Sequence, residues 1–228
     1  MNNSKNFNLI VPVAADKAEY DGRLPHVFTP GHDGILLCLK AITGLNIDVF
    51  DAIYFTILRK HVASYDVDQL LRLQFNRLGI EGKAKIVILE NATNTQAETI
   101  VRTIEKENIS GAIFIKDADC YFRADAHPEN GIAVFPLENL DLVDPRNKSY
   151  VAVDDMQHIT NIIEKRVVSH LFNAGGYCFE NVTDFLDTYN AHRHLGHVYL
   201  SHLIYAMLLD GHSFRPIPVT EYNDCNIR

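Results

Sequence analysis

Apolar and polar residues alternate along the first half of the chain in blocks whose lengths and punctuation separate strands from helices. Residues 8–15 (NLIVPVAA) form a compact apolar run that breaks abruptly into charge, which predicts a first, central strand entering a loop. Residues 34–42 carry an apolar helical face and stop at Gly44, a residue suited to a helix C-cap. A second strand is predicted over 51–58. A helix is predicted over 66–78, with Leu70, Leu71, Leu73 and Phe75 apolar and Gly79 as its stop. Residues 85–89 predict a third strand, and 95–108 a helix with Ala97, Ile100, Val101 and Ile104 on one face and Asn94 or Thr95 able to cap it. The run beginning at Gly111 and carrying Asp117-Ala118-Asp119 predicts a fourth strand. Three such strand-helix alternations require parallel strands joined by right-handed crossovers, so the first half reads as a doubly wound α/β sheet.

Beyond residue 122 the pattern turns strand-rich, with segments at 131–137, 149–153, 159–165 and 176–179. Two helices follow at about 182–189 and 197–209, then a last strand near 215–222. No internal repeat and no Pro/Gly/Ser linker divides the chain. The expectation is one domain over 1–228, α/β in class, with a nucleotide-binding half to about 122 and an acceptor half after it.

The 228-residue chain has a formal net charge of -8, and no basic face is apparent in the pattern, which argues against a nucleic-acid partner. No apolar stretch approaches the roughly 20 residues of a membrane helix, and the polar start shows no secretory signal. A cytoplasmic location is expected. The four cysteines are scattered without a C-x-x-C pair, so buried, reduced thiols are expected rather than a zinc or disulfide framework. His192, His194, His197 and His202 make no H-x-x-x-H pair and read as polar-face or substrate-proximal residues.

The chemistry is expected at the end of the fourth strand. In an open α/β sheet ligands sit at the C-terminal strand ends, and two carboxylates two residues apart suit Mg²⁺ or Mn²⁺, which neutralises nucleotide phosphates. Alone, the same pattern also describes two solvated aspartates in a turn.

Further segments follow in order: Ile163-Glu164-Lys165 at the end of a strand, then Ala174-Gly175-Gly176-Tyr177-Cys178-Phe179, then Val219-Thr220-Glu221-Tyr222-Asn223-Asp224. A strand ending in D-x-D, followed by I-x-E-K and A-G-G-Y-x-F, resembles the sugar-phosphate nucleotidyltransferase family with its GT-A-like fold. The resemblance implies that Asp117 or Asp119 holds a divalent ion together with Asp224, and that Lys165 meets the acceptor phosphate. It implies that Glu164 accepts from acceptor hydroxyls and that Gly175 and Gly176 allow close backbone approach. Residues 91–99, with Thr93 and Gln96, resemble the segment where the base is read; the same residues also suit a helix cap.

The departure is at the front. Where the family has a glycine-rich loop and a P-K pair, this chain has Ala14-Ala15-Asp16-Lys17-Ala18-Glu19-Tyr20-Asp21-Gly22-Arg23-Leu24-Pro25-His26. Asp16 takes the place of a loop glycine and His26 that of the lysine, leaving Lys17 and Arg23 as compensating cations. The family usually continues beyond the last strand, so the final turn is expected to be unfinished or completed by a partner, a homo-oligomer included.

The leading expectation is a metal-dependent enzyme that joins an NTP to a phosphorylated sugar or polar alcohol with release of pyrophosphate, in surface-polysaccharide precursor synthesis. The alternatives are a glycosyltransferase using a finished NDP-sugar and a non-catalytic nucleotide-binding paralogue.

Overall fold

The run Phe7–Val13 forms β1, and its residues are buried save a partly exposed Pro12, as expected of a strand covered on both faces. A computed structural model describes residues 6–14, 23–139 and 148–225. The expected phosphate-loop residues Ala15, Asp16 and Lys17 lie outside them. β1 pairs in parallel with β2 (Ala52–Leu58), and β2 in parallel with β3 (Ala84–Leu89). On its other side β1 pairs in parallel with β4 (Ala112–Lys116). The crossovers carry α1 (Leu37–Lys40), then α2 (Arg59–Tyr65) and α3 (Val67–Leu78), then α4 (Gln96–Glu107). Because the chain builds outward from β1 in both directions, the strand order reverses between β1 and β4, and the C-terminal ends of these two strands are where an open α/β sheet places its ligand crevice.

Alternation along β1 explains two cores. Leu9 and Val11 face one cluster with Phe55, Leu71, Phe75 and Phe114, whereas Ile10 faces another with Ile100, Ile104 and Ile113. On α3, Val67, Leu71 and Phe75 are the buried stripe, and Leu73 faces outward at 71% exposure.

After β4 come β5 (Cys120–Arg123), β6 (Gly131–Pro136), β7 (Ser149–Val153), β8 (Ile159–Glu164) and β9 (Leu171–Phe179). β9 pairs antiparallel with both β4 and β6 and so ties the second half into the same sheet. The hairpin β7–β8 joins through Tyr150 opposite Phe172. α5 (Val182–His192) and α6 (Leu200–Leu209) cover the second core, β10 (Arg215–Pro218) adds in parallel to β6, and β11 (Thr220–Asp224) pairs antiparallel with β5 in a separate ribbon. The result is one mixed α/β domain with a mostly parallel central sheet.

Four sequence expectations change in detail. The fourth strand stops at Lys116, and Cys120–Arg123 leaves the main sheet. The helix expected over 34–42 shrinks to Leu37–Lys40, α2 was not expected, and the last strand divides at Val219 into β10 and β11.

Candidate active site at the aspartate turn

Residues 117–119 connect β4 to β5 at the sheet's C-terminal edge, next to Ala14 at the end of β1, which packs with Leu58 and Leu89. The turn is locked from three sides. Asp117 N–H donates to the Gly175 carbonyl at 2.9 Å. Gln96 Nε2 donates to Asp117 Oδ1 at 2.5 Å. Below it, fully buried Lys116 donates to the carbonyls of Asp117 and Cys120, each at 2.8 Å, and lies 3.1 Å from Cys120 Sγ. The ammonium also stands over the Phe122 ring at 4.3 Å, so a cation without a carboxylate hydrogen bond is held by carbonyls and a π face.

Gln96 reaches Asp117 because α4 starts where it does. Thr95 Oγ1 accepts from Glu98 N–H at 3.2 Å, and the Glu98 carboxylate accepts from Asn94 N–H at 2.9 Å, fixing the first turn from both ends. Thr93 and Thr99 share a hydroxyl hydrogen bond, so Thr93 serves this helix start.

The C-terminal ribbon brings the third aspartate. The register of β11 on β5 places Asp224 opposite Cys120, and Cys225 N–H donates to the Asp119 carbonyl at 2.9 Å. Lys148, which precedes β7, donates to Asp224 Oδ2 at 2.7 Å and to the Tyr222 hydroxyl at 2.6 Å. Tyr222 stacks on Phe135 and meets Phe172 edge-on. His26 Nε2 lies 3.0 Å from the Cys225 carbonyl; a carbonyl only accepts, so Nε2 carries the proton. Arg23 is exposed.

The charge pattern follows this packing. Burial, then the neighbouring Asp119, raises the Asp117 pKa, opposed by Lys116, Gln96 and Lys148. Burial pushes the Cys120 thiol up to about 12, so it is an inert, protonated group. Burial and then surrounding acidic groups, including Asp224, also raise Tyr222 and keep its hydroxyl protonated.

In the second half of the chain, hydrogen bonds gather around Glu164. Its Oε2 accepts from Ser149 Oγ at 2.5 Å and Ser201 Oγ at 2.7 Å, at the start of α6. Lys165, in a left-handed conformation at φ 56°, is exposed and points its ammonium toward Tyr199, 5.0 Å from that ring's centroid. Gly175 has φ 88°, and a Cβ there would stand 2.7 Å from Asp117 Oδ2 and 2.8 Å from Cys120 Sγ. A Cβ on Gly176 would meet Phe122 and Ala133 at 2.8 Å. The crowding that requires these two glycines is therefore against the aspartate turn and the core.

Asp117, Asp119, Gln96, Gly175 and Asp224 thus form one neighbourhood, joined by His26, and Glu164 and Lys165 stand at the open end of the β7–β8 hairpin beside Lys148, whose ammonium links that end to Asp224. Lys116, Lys148, Ser149, Ser201 and Tyr222 were not singled out from sequence as site residues. Lys116 carried one signal, a lysine inside an otherwise apolar strand; Lys148 carried none.

Among the described residues no group of three or more His, Cys, Asp or Glu side chains is placed to hold a metal ion by itself. The donor set still suits Mg²⁺, which binds through one or two carboxylates and completes its shell with water and phosphate oxygens. The Lys148 ammonium beside Asp224 marks a position where a cation is favoured.

No family model and no curated protein matches the sequence. Solved structures do. A nucleoside-diphosphate-sugar pyrophosphorylase from Vibrio cholerae RC9 superposes with a TM-score of 0.77 at 18% identity, over 95% of each chain. An inositol-1-phosphate CTP transferase from T. maritima gives 0.73 at 16% identity, over 98% of this chain and 90% of that one. The fold is that of the sugar-phosphate nucleotidyltransferases. A UDP-glucose pyrophosphorylase complexed with UDP-glucose extends the likeness, with a TM-score of 0.67 at 12% identity over 97% and 93% of the two chains. No helix among the described residues is long and apolar enough to cross a membrane.

Proposed function

We propose that the protein joins an NTP to a phosphorylated sugar or related polyol, releasing pyrophosphate, as a step in making surface-polysaccharide precursors. The observation that carries this reading is the aspartate turn: at the point where strand order reverses, it is braced by α4 and β9 and met by Asp224 from a distant strand, within a fold matched along almost its whole length.

The acceptor phosphate would attack the α-phosphorus in line while pyrophosphate leaves, a reaction that asks the protein for positioning and charge more than covalent work. Asp224 with Asp117 or Asp119 would hold Mg²⁺, which when bound neutralises phosphate oxygens. Lys165 would meet the acceptor phosphate and Glu164, oriented by two serine hydroxyls, would accept from acceptor hydroxyls. Gln96 would keep Asp117 turned into the crevice.

The test is pyrophosphate release with each NTP, Mg²⁺ and a panel of sugar and polyol phosphates. Release from one pair, lost in Asp117→Ala and Asp224→Ala, is the expected result; no release across the panel would overturn the reading. His26 favours a second reading, nucleotide binding without turnover, because its Nε2 is engaged with the Cys225 carbonyl where the family's lysine would meet phosphate. Calorimetry showing nucleotide binding without turnover would favour it.

A further inference from the structure

Lys148 is placed as few surface lysines are. Its side chain is 16% exposed and that of Asp224 is 11% exposed, so the pair is largely withdrawn from water. The ammonium is 2.7 Å from Asp224 Oδ2, 2.6 Å from the Tyr222 hydroxyl, and 5.2 and 5.8 Å from the ring centroids of Tyr222 and Phe172. Its backbone is pinned by Lys165 N–H donating to the Lys148 carbonyl at 2.9 Å. Its charge also reaches Asp117, where it opposes burial.

We propose that Lys148 is a built-in counter-ion that competes with a divalent cation for Asp224, so that loading the site requires this lysine to give up or share that carboxylate. This inference rests on the nucleotidyl-transfer reading for the ion's role, but not for its binding. Asp117 and Asp119 repel one another within the turn, and Asp224 acts with both on the Tyr222 hydroxyl, so this group of carboxylates needs positive charge close by. Among the described residues, Lys116 supplies positive charge from beneath, locked among carbonyls, and Lys148 supplies it from the side. A lysine suits exchange because its charge is a point at the end of a flexible stem, able to swing aside in a way that a forked, bidentate arginine is not. An arriving ion must replace a charge-assisted hydrogen bond on Asp224 Oδ2 before gaining a ligand there.

The experiment is titration of the nucleotide-free protein with Mn²⁺, read by calorimetry and by the electron spin resonance of free Mn²⁺. Lys148→Met is expected to bind Mn²⁺ about tenfold more tightly than the parent. The gain is expected to vanish in the double variant with Asp224→Asn, and Lys148→Arg, whose fork releases a carboxylate less readily, is expected to bind Mn²⁺ more weakly than the parent. Equal or weaker Mn²⁺ binding by Lys148→Met, a gain that persists without the Asp224 carboxylate, or no measurable binding by either protein would each overturn the proposal. Should Lys148→Met fail to fold, Tyr222→Phe loosens the same ammonium and is expected to tighten Mn²⁺ binding by about twofold to threefold; an unchanged constant there would overturn it equally. A purely structural staple would leave Mn²⁺ affinity unmoved. Since neither nucleotide nor acceptor is present, this result stands or falls apart from the pyrophosphate assay.

Discussion

Asp117 faces opposing demands, and they set the sign of its pH dependence. Burial and Asp119 raise its pKa above 3.8. A carboxyl whose pKa rises on folding holds its proton more tightly in the native chain. Its contribution is therefore fully present below the unfolded value and is lost as pH climbs through the raised native one. Asp117→Asn, which cannot ionise, is expected to be more stable than the parent near neutral pH by roughly 1 kcal/mol, or about 2–4 °C in Tm for a chain of this size. The difference is expected to shrink toward pH 4, as thermal unfolding across a pH series would show. The same variant is expected to lose pyrophosphate release, separating the carboxylate's chemical role from its structural cost. Gly175→Ala tests the other side of the contact. With φ at 88° and Asp117 Oδ2 2.7 Å from the added Cβ, it is expected to cost about 2–4 kcal/mol in urea unfolding.

At the scale of elements, α4 links helix stability to the crevice. Thr95→Ala removes the hydroxyl that accepts from Glu98 N–H and is expected to cost about 1 kcal/mol. Because Gln96 is the first residue of that helix, the variant is also expected to weaken nucleotide binding in calorimetry, whereas an exposed control such as Lys106→Ala is not. This helix was legible in sequence, since Ala97, Ile100, Val101 and Ile104 recur at helical spacing and all four are buried. α2 was not legible. Across Arg59–Tyr65 His61 is the fully buried residue, and the apolar face is only Val62 and Tyr65, partly buried against the first core, which is too short a period to read and leaves the helix owing its place to packing. The break between β4 and β5 was hidden because Cys120 and Phe122 continue the apolar run although they pair with β11 instead of the sheet. Asp117, Asp119 and Asp224 were readable through motif order. Lys148 was not, because its importance comes from which strand end faces which, and no local spacing encodes that.

Across the whole molecule, protection should divide along the two sheets. β1, β2 and β4 lie deep in the main sheet, buried along almost their full length, whereas the β5–β11 ribbon has one partner per strand and half-exposed residues on β11. Hydrogen exchange is expected to be slowest in β1, β2 and β4 and faster in the ribbon. Adding nucleotide with Mg²⁺ is expected to slow the ribbon selectively, because it carries Asp224 and borders Asp119. Uniform slowing of both sheets would mean that the ligand acts elsewhere.

The contact between His26 and the Cys225 carbonyl has a consequence for how the molecule comes together. It spans 199 residues, and the Lys148–Asp224 pair spans 76. Such distant closures gain little until the intervening chain is in place, so they belong late in folding. In refolding from urea, the far-ultraviolet signal of the helices is expected to recover before nucleotide binding does. A chain caught between those two events would have its sheet and helices but no complete crevice, and so could not hold substrate before its fold was finished.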